Sequence, residues 1–480
     1  MMSRHINLYP LLASFLVLSA QALFSAEAGK QIVVTKCEKL TRGDTTYVLQ
    51  NDVSSAGTCF AIEASGITLD LNGHTVLYGT GGGDTPEPAF TLCDGWYNQL
   101  SSSTQCGGNG HAHFTVYGGA VTQATNAPPF SPVFWVGQGN GINGGHIHNI
   151  TATFSSVGSQ FFHGDYPGLG WKIQDNIIND NVTNIQHPNQ GALSARSQLQ
   201  GYAIKLDNGG TPIGPADDIS GNTINGSPQG GISDGAPGSL ISGNIIHLTS
   251  TYSNDYGIIS MAKNQNIHGN TITGHGRGLD AEGTGFVLDH NIINVQEMAN
   301  NSEYGGCELG GTYGIRVKNY DPKVPSIGWS ITNNNVTIPA GPCIAIALDM
   351  TNMQPAVTGN ITGNTFTTVA GTYPDYVVSL NSVQDLSGIK YSGNVFSGST
   401  CLIINNNGDF GSPADTIIEA GQTWKCPMGP TVVTTDLTKG QSNPWPVYLE
   451  IQDEVTNPTV KCGDYSTALV KIGSFTKQCQ

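Results

Sequence analysis

Charge is scarce in this chain. Only 11% of its 480 residues are Asp, Glu, Lys or Arg, and 19 cations face 35 carboxylates, for a formal net charge of −16 and a pI near 5.0. No basic run is present to neutralise phosphates, which excludes nucleic acid as a partner. No apolar pattern runs on at the 3.6-residue spacing that a helical solenoid needs. Beyond the first 28 residues no stretch approaches the roughly 20 apolar residues of a membrane span. The ten cysteines include no C-x-x-C pair, which argues against a metal site. There is no nucleophile elbow, phosphate loop or HExxH helix either.

Glycine, at 63 residues, and asparagine are abundant instead, as a turn-rich β fold requires. Residues 201–320 carry the pattern most clearly. GYAIKLDN (201–208), GGISDG (230–235), DYGIISMAK (255–263), RGLDAEG (277–283) and YGIRVKN (313–319) are short strand-like runs opened by Gly or a small residue. Between them recurs apolar-x-x-Asn-x-apolar, at Asn222, Asn244, Asn270 and Asn291, and again at Asn334, Asn364 and Asn394. A period of about 20–30 residues built from short strands and Gly/Asn turns predicts a solenoid with one coil per repeat. The expected fold class is all-β: a right-handed parallel β-helix with a disulfide-pinned C-terminal cap. The repeated Asn residues read as architecture, an amide ladder at one coil position, because Asn tolerates left-handed turns and bonds local backbone.

Strand alternation then sorts the remaining side chains. Ile204, Leu206, Leu279, Ala281, Ile315 and Val317 are expected inside. Lys205, Asp207, Asp280, Glu282, Arg316 and Lys318 are expected outside, on one exposed sheet face whose coils lie about 4.8 Å apart. Two readings of that charged stack stand side by side. It is either a cross-strand ion-pair ladder or a subsite in which Arg316 forks a sugar carboxylate with Lys318 or Lys205 assisting. After residue 320 the outward positions are expected to be neutral, as at Ala345, Ala347 and Ser379.

Three units are expected along the chain. Residues 1–28 read as a secretory signal, with Arg4, an apolar stretch and Ala26-Glu27-Ala28 as the cleavage site. Residues 29–410 form the β-helix, with insertion loops near 80–135 (with Trp96 and Tyr97) and 159–171 (with His163, Asp165 and Tyr166). Residues 411–480 form a cap that covers the open last coil. The protein is expected to be secreted, extracellular or periplasmic, monomeric, and without a membrane span once the signal is removed. Ten cysteines suit an oxidising compartment, and their order suggests Cys37–Cys59, Cys93–Cys106, Cys307–Cys343, Cys401–Cys426 and Cys462–Cys479. Glycosylation sequons occur at Asn149, Asn181, Asn300, Asn335 and Asn360.

The stretch YVLQNDVSSAGTCFAIEASGITLDLNGHTV resembles the opening coils of secreted β-helix proteins of the pectin-lyase-like superfamily. The resemblance runs from about residue 30 to 410. It implies lyases, hydrolases or epimerases of acidic polysaccharides, or non-enzymatic relatives, and it implies fold better than activity. A narrower resemblance is to polygalacturonases, carried by Ser233-Asp234-Gly235, Asn254-Asp255-Tyr256, Gly274-His275-Gly276 and Arg316-Val317-Lys318 in that family's motif order. It implies Asp255 as general acid, Asp234 as the base that activates water, His275 as the group orienting the acid, and Arg316 and Lys318 as carboxylate binders. Tyr256 replaces the second Asp of the family's pair, and inverting hydrolysis needs both acids outward, about 6.5–9.5 Å apart.

β-Elimination is the second enzymatic reading. Lys205, Lys263, Arg277, Arg316 or Lys318 would serve as base, with Asp207, Asp280 and Glu282 as oxygen ligands if Ca²⁺ is used. The candidate site is thus Asp234, Asp255, His275 and Asp280 as catalytic residues, with Lys205, Asp207, Glu282, Arg316 and Lys318 holding substrate. The expected partner is an acidic, pectin-like polysaccharide. A non-catalytic glycan-binding or structural β-helix is the alternative.

Overall fold

The repeated Asn marks a corner. Just before it, Asp175, His290 and Asn333 take positive φ values of 55°, 53° and 54°, and Gly221, Gly243, Gly269, Gly363 and Gly393 do the same. One left-handed residue bends the chain sharply, which explains why Gly, Asn and Asp dominate that position. The Asn that follows is buried, and its side chain replaces the sheet hydrogen bonds that the bend interrupts. The N–H and Nδ2 of Asn222 both donate to Oδ1 of Asn244, each at 3.0 Å, while Nδ2 also reaches the Ile173 carbonyl at 2.8 Å. Asn244, Asn270, Asn291, Asn334 and Asn364 repeat this pattern. The ladder is longer than the sequence pattern suggested. It begins at Asn176, passes from Asn394 to Gln422, and ends on the carboxylate of Asp453, which accepts from the N–H groups of Gly421 and Gln422.

The computed structural model describes residues 30–83, 85–92, 113–136, 144–156, 158–165, 170–181, 202–207, 215–227, 230–249, 256–296, 312–319, 325–341, 344–351, 357–369, 371, 375–381, 386–398, 400–405, 414–427, 431–435, 447–462 and 468–479. Among them the regular elements are strands alone, and no helix occurs. They form a 24-stranded, a 15-stranded and a 4-stranded sheet. Every described pairing in the first two is parallel, and each strand is stacked on its equivalent from the next coil. The chain is therefore a parallel β-helix with three faces. The 24-stranded sheet contains two of them. The long strands Phe114–Gln123 and Gly145–Phe154 run round the corner and join the faces into one sheet. Face one carries strands such as Leu240–Ser242 and Asn266–His268; face two carries Ile245–Thr249 and Thr271–His275; the 15-stranded sheet is face three.

The interior is filled by side chains stacked in register. On face three Phe60, Phe90, Phe134 and Phe162 give way to Ile204, Ile232, Ile258, Leu279 and Ile315, all fully buried. Each such side chain contributes about 1.5–3 kcal/mol. Leu279, Ala281, Ile315 and Val317 point inward as alternation requires.

Two stretches depart from the expected organisation. Within 80–135 and 159–171, the strands Phe90–Thr91, Phe114–Gln123, Phe134–Val136 and Phe162–Asp165 are coils of the helix rather than loop. Stacked aromatics fill their core slots, which hides the aliphatic repeat from sequence. Stacking also continues past residue 411: Thr423–Lys425, Thr431–Thr435 and Thr459–Cys462 extend faces two and three. In the 4-stranded sheet Ala414–Ile418, Val447–Ile451 and Ala468–Ile472 stack parallel, and Phe475–Cys479 ends the series by turning back antiparallel on Ala468–Ile472, with Cys479 bonded to Cys462. Cys37–Cys59 and Cys401–Cys426 are also formed. The other two expected pairs, Cys93–Cys106 and Cys307–Cys343, lie outside the described residues.

Replacing Asn270 with Ala strips the acceptor from two donors of Asn244 and takes one of the donors from the Ile241 carbonyl. At about 1–3 kcal/mol per unsatisfied buried group, denaturant unfolding of this variant should show a loss of about 3 kcal/mol or more. The exposed Asn294→Ala should stay within about 0.5 kcal/mol of the parent.

Candidate functional site

On the outer side of face three, register places Asp280 against Arg316 and Arg316 against Asp349, with Glu282 against Lys318. The charged residues interlock. Lys318 Nζ lies 2.7 Å from Asp280 and 2.5 Å from Glu282, and Arg316 Nε is 3.4 Å from Asp349. Arg277 adds a third cation. Its guanidinium sits 4.9 Å from the centre of the Tyr313 ring and 5.6 Å from that of Tyr256. Arg316 covers Tyr313 from 4.9 Å and its Nη1 donates to the Tyr256 hydroxyl at 3.2 Å.

A backbone device brings the tyrosines and Arg277 to this side. Strict alternation would send Arg277 inward with Leu279. Gly278, however, lies flat on the core, where an added Cβ would meet Ile293 at 2.6 Å. With that position turned inward, the residue before it emerges on the outer side. The runs opened by Gly are therefore runs in which the residue ahead of the glycine is delivered to the outer side of the coil: Tyr256, Arg277 and Tyr313, each still buried there.

The group is sheltered although it stands outside the coil. Asp280 is 0% and Asp349 2% exposed at the side chain, while Arg316 and Glu282 keep 19% and 21%. Burial pushes the Asp349 carboxyl up to about 6 despite Arg316. It raises Asp280 and Glu282 as well, against the pull of Lys318. Burial works the other way on Lys318, but Asp280 and Glu282 prevail and hold its ammonium charged. Burial and the Asp280 charge keep the Tyr256 phenol protonated even beside Arg277 and Arg316. Three carboxyl groups more basic than usual thus face three cations, with two phenols between them.

The residues named from sequence divide. Asp280, Glu282, Arg316 and Lys318 meet as expected, on adjacent coils. Lys205 shares their row but stands three coils away, beyond Ser233 and Ile259. Asp255 lies outside the described residues, as does the side chain of Asp207, whose backbone pairs with Asp165. His275 ends the face-two strand Thr271–His275, exposed and stacked between Thr249 and Gln296 rather than among the charges. Lys263 is exposed in the turn after face three, its carbonyl accepting from Gly238.

Asp234 requires a correction. It stacks with Leu206, Ser260 and Ala281 in the inward row and is fully buried. There it accepts from Gln265 Nε2 at 2.5 Å and from the Ala236 N–H at 3.3 Å, and it bonds the equally buried Asp217. Burial raises its pKa to about 7 and pushes Asp217 well above the carboxylate range. The pair holds a proton inside the coil and activates no water in a groove. Asp349 and Tyr313 were missed by sequence, as was the placement of Tyr256. Asp349 was hidden because the outward positions after residue 320 were expected to be neutral; Ala347 instead fills the inward slot of Gly314, next in the coil. Among the described residues no group of three or more His, Cys, Asp or Glu side chains is placed to hold a metal ion.

No family model matches the sequence and no curated protein matches it. Solved structures of similar architecture do. One is the tailspike protein of E. coli bacteriophage HK620 in complex with a pentasaccharide, at 12% identity over 93% of this chain and 74% of that one, with a TM-score of 0.46. Another is the Streptococcus pneumoniae surface protein and adhesin PfbA, at 14% identity over 90% of each chain and a TM-score of 0.31. A third is the A-module of the Azotobacter vinelandii mannuronan C-5 epimerase AlgE6, at 11% identity over 87% of this chain and 90% of that one, with a TM-score of 0.34. The likeness is one of fold.

The raised carboxyls make stability pH-dependent. A group whose folded pKa exceeds its unfolded value near 3.9 favours the fold in acid, and that contribution is lost as pH rises from about 4 to about 7. Thermal melts should therefore show a midpoint that falls across this window. Asp234→Asn, which cannot ionise, should flatten the slope by about 2 kcal/mol. An unchanged slope would place the titration elsewhere.

Proposed function

We propose that the chain is a secreted, carbohydrate-active β-helix whose working surface is the Tyr256–Arg277–Asp280–Glu282–Tyr313–Arg316–Lys318–Asp349 group. Its substrate would be an acidic polysaccharide. The observation that carries this reading is the concentration of ionisable side chains at one place on a solenoid otherwise poor in charge. An ion-pair ladder on an open sheet would contribute little to stability. A sheltered one with protonatable carboxyls can exchange an internal carboxylate for that of a uronate, taking up a proton as it does so.

β-Elimination suits the group better than polygalacturonase-type hydrolysis, because the residue standing for the water-activating acid, Asp234, is interior. Lys318 is held protonated and is a poor base. Its role, with Arg316, would be to stabilise the negative charge that grows on the uronate carboxylate. Glu282, the more exposed carboxylate, would take the proton from the carbon next to that carboxylate. The C–C double bond forms as the bond to the glycosidic oxygen breaks, and the Tyr256 hydroxyl would protonate the departing oxygen. The second reading, binding without turnover, is favoured by the ion pairs that already engage Lys318 with Asp280 and Glu282 and Arg316 with Asp349.

Incubation with polygalacturonate, alginate and glycosaminoglycans separates the two. Elimination should produce the absorbance band of an unsaturated uronate, and Glu282→Gln and Tyr256→Phe should each slow it about 10²-fold or more. Retention on an immobilised polyuronate without turnover, strengthening as pH falls toward 5, would select the binding reading. Neither turnover nor retention on any of the three would sink both.

A further inference from the structure

Face two presents a surface that the site on face three does not use. Its outward positions form two long rows, with a short third of Thr249, His275 and Gln296 beside them. One runs through Thr151, Ile177, Thr223, Ile245, Thr271 and Ile292, each opposite the next in register. It continues to Thr423 at one end and Thr75 at the other. The second row lies two residues further along each strand and includes Thr153, Asn179, Asn225, Thr273 and Thr367. Threonine fills nearly half of the positions in the two rows. Neither long row contains a carboxylate, Trp, Tyr or Phe; His247 stands in the second row between Asn225 and Thr273, and Lys425 at the extreme end carries the single fixed charge. The large apolar residues are left in solvent: Ile177, Ile245 and Ile292 are 45%, 52% and 50% exposed.

The grid is regular, and the structure shows what keeps it so. From residue 172 to 397, faces one and two are joined by two residues in every coil, the left-handed residue and the ladder Asn. No insertion leaves from that corner to overhang the face, and the amide ladder locks each coil to the next. The rows repeat every 4.8 Å or so along the axis and lie about 6.7 Å apart across it. The face is thus a long, rigid array of methyl and hydroxyl groups without charge.

The geometry points to an ordered, neutral, flat partner, and we infer that face two binds the surface of ice. The two spacings are close to the in-plane repeats of the oxygen lattice on a prism face of ordinary ice. Hydroxyls and amides can continue such a lattice, while methyls order water around themselves without holding it by charge. A carboxylate or ammonium would keep a hydration shell of its own and is costly to strip, which fits the near-absence of charge in a chain of net charge −16. Two other occupants fit less well. A second copy could cover an area of about 58 by 13 Å, about 750 Å² per partner and enough for an interface, but the rows lack the Trp, Tyr, Phe, Met and Arg side chains that form the core of one. Crystalline polysaccharide would be expected to meet Trp, Tyr or Phe platforms, and the rows have none of these.

The full-length protein can be tested by slow ice growth, measuring the fraction of protein taken into the solid, and by thermal hysteresis. The wild type should enter the ice. Thr271→Lys and Ile245→Lys, mid-face and outward, should each lower the ice-bound fraction about 10-fold, while Ser242→Lys on face one should leave it unchanged. Melting curves check that each variant is folded. Exclusion of the wild type from ice would overturn the inference. So would unaltered binding by the folded mid-face variants, or a wild type that instead sediments with crystalline cellulose or forms a dimer abolished by Thr271→Lys.

Discussion

Each coil of this solenoid turns a corner where the sheet hydrogen bonding would otherwise fail. A backbone N–H left unpaired inside the coil costs about 1–3 kcal/mol, and the corner recurs from Asn176 to Gln422. The ladder Asn removes that cost by accepting, through one Oδ1, from both the N–H and the Nδ2 of its neighbour, while its own Nδ2 reaches a carbonyl of the coil before. Ladder bonds run coil to coil, so the repeat spacing is set at the corner and transmitted to all three faces. The ladder ends on Asp453, whose two oxygens accept from Gly421 and Gln422 and whose carboxylate also receives the Trp424 indole.

Given that frame, the faces are free to differ. Face three bends its rule with glycine. Gly257, Gly278 and Gly314 occupy positions where a Cβ would run into the Ile272, Ile293 and Val336 side chains of face two. The close approach costs the strand its alternation and gains an extra outward residue per coil. Tyr256, Arg277 and Tyr313 are those residues, and with them the charged row becomes a sheltered group instead of a ladder in water. Raised carboxyl pKa values follow from the shelter. Face two keeps its alternation apart from a bulge at Asn225–Ser227 and carries mostly threonine, asparagine and aliphatic residues, with His247 among them.

Polar groups inside the coil obey different physics from those outside it. Asp217 and Asp234 are buried among Gln265, the Trp171 and Ala236 N–H groups and the Ser239 hydroxyl. Two carboxylates could not both ionise there, so the pair retains a proton. Asp280 is equally hidden from solvent but sits beside Lys318, and its charge is compensated rather than neutralised. The same residue type thus serves architecture in one row and the candidate site in the next, a single residue apart in register.

The parallel β-helix was legible in the sequence because its signal is repetition. Asn222 to Asn394 and the inward Ile and Leu recur at coil spacing, and every coil needs them for the same physical reason. The meeting of Asp280 with Arg316 and of Glu282 with Lys318 was legible too, since alternation and stacking suffice to place them. Alternation from Ile232 already points Asp234 inward and the order of the runs already puts Lys205 three coils from Asp280, signals that the motif resemblance overrode; local spacing could not tell that Phe90, Phe134 and Phe162 are coil residues. Their placement depends on which residues face which across the coil, and aromatic or glycine substitutions blur the pattern there. Sequence alone determined the repeat, the ladder and the inward rows, because these follow from the strand period and the turn preferences of Gly and Asn. Only the tertiary structure decided which acids are buried, which cations they meet and which face is left bare, because those follow from contacts between coils some 20 to 60 residues apart.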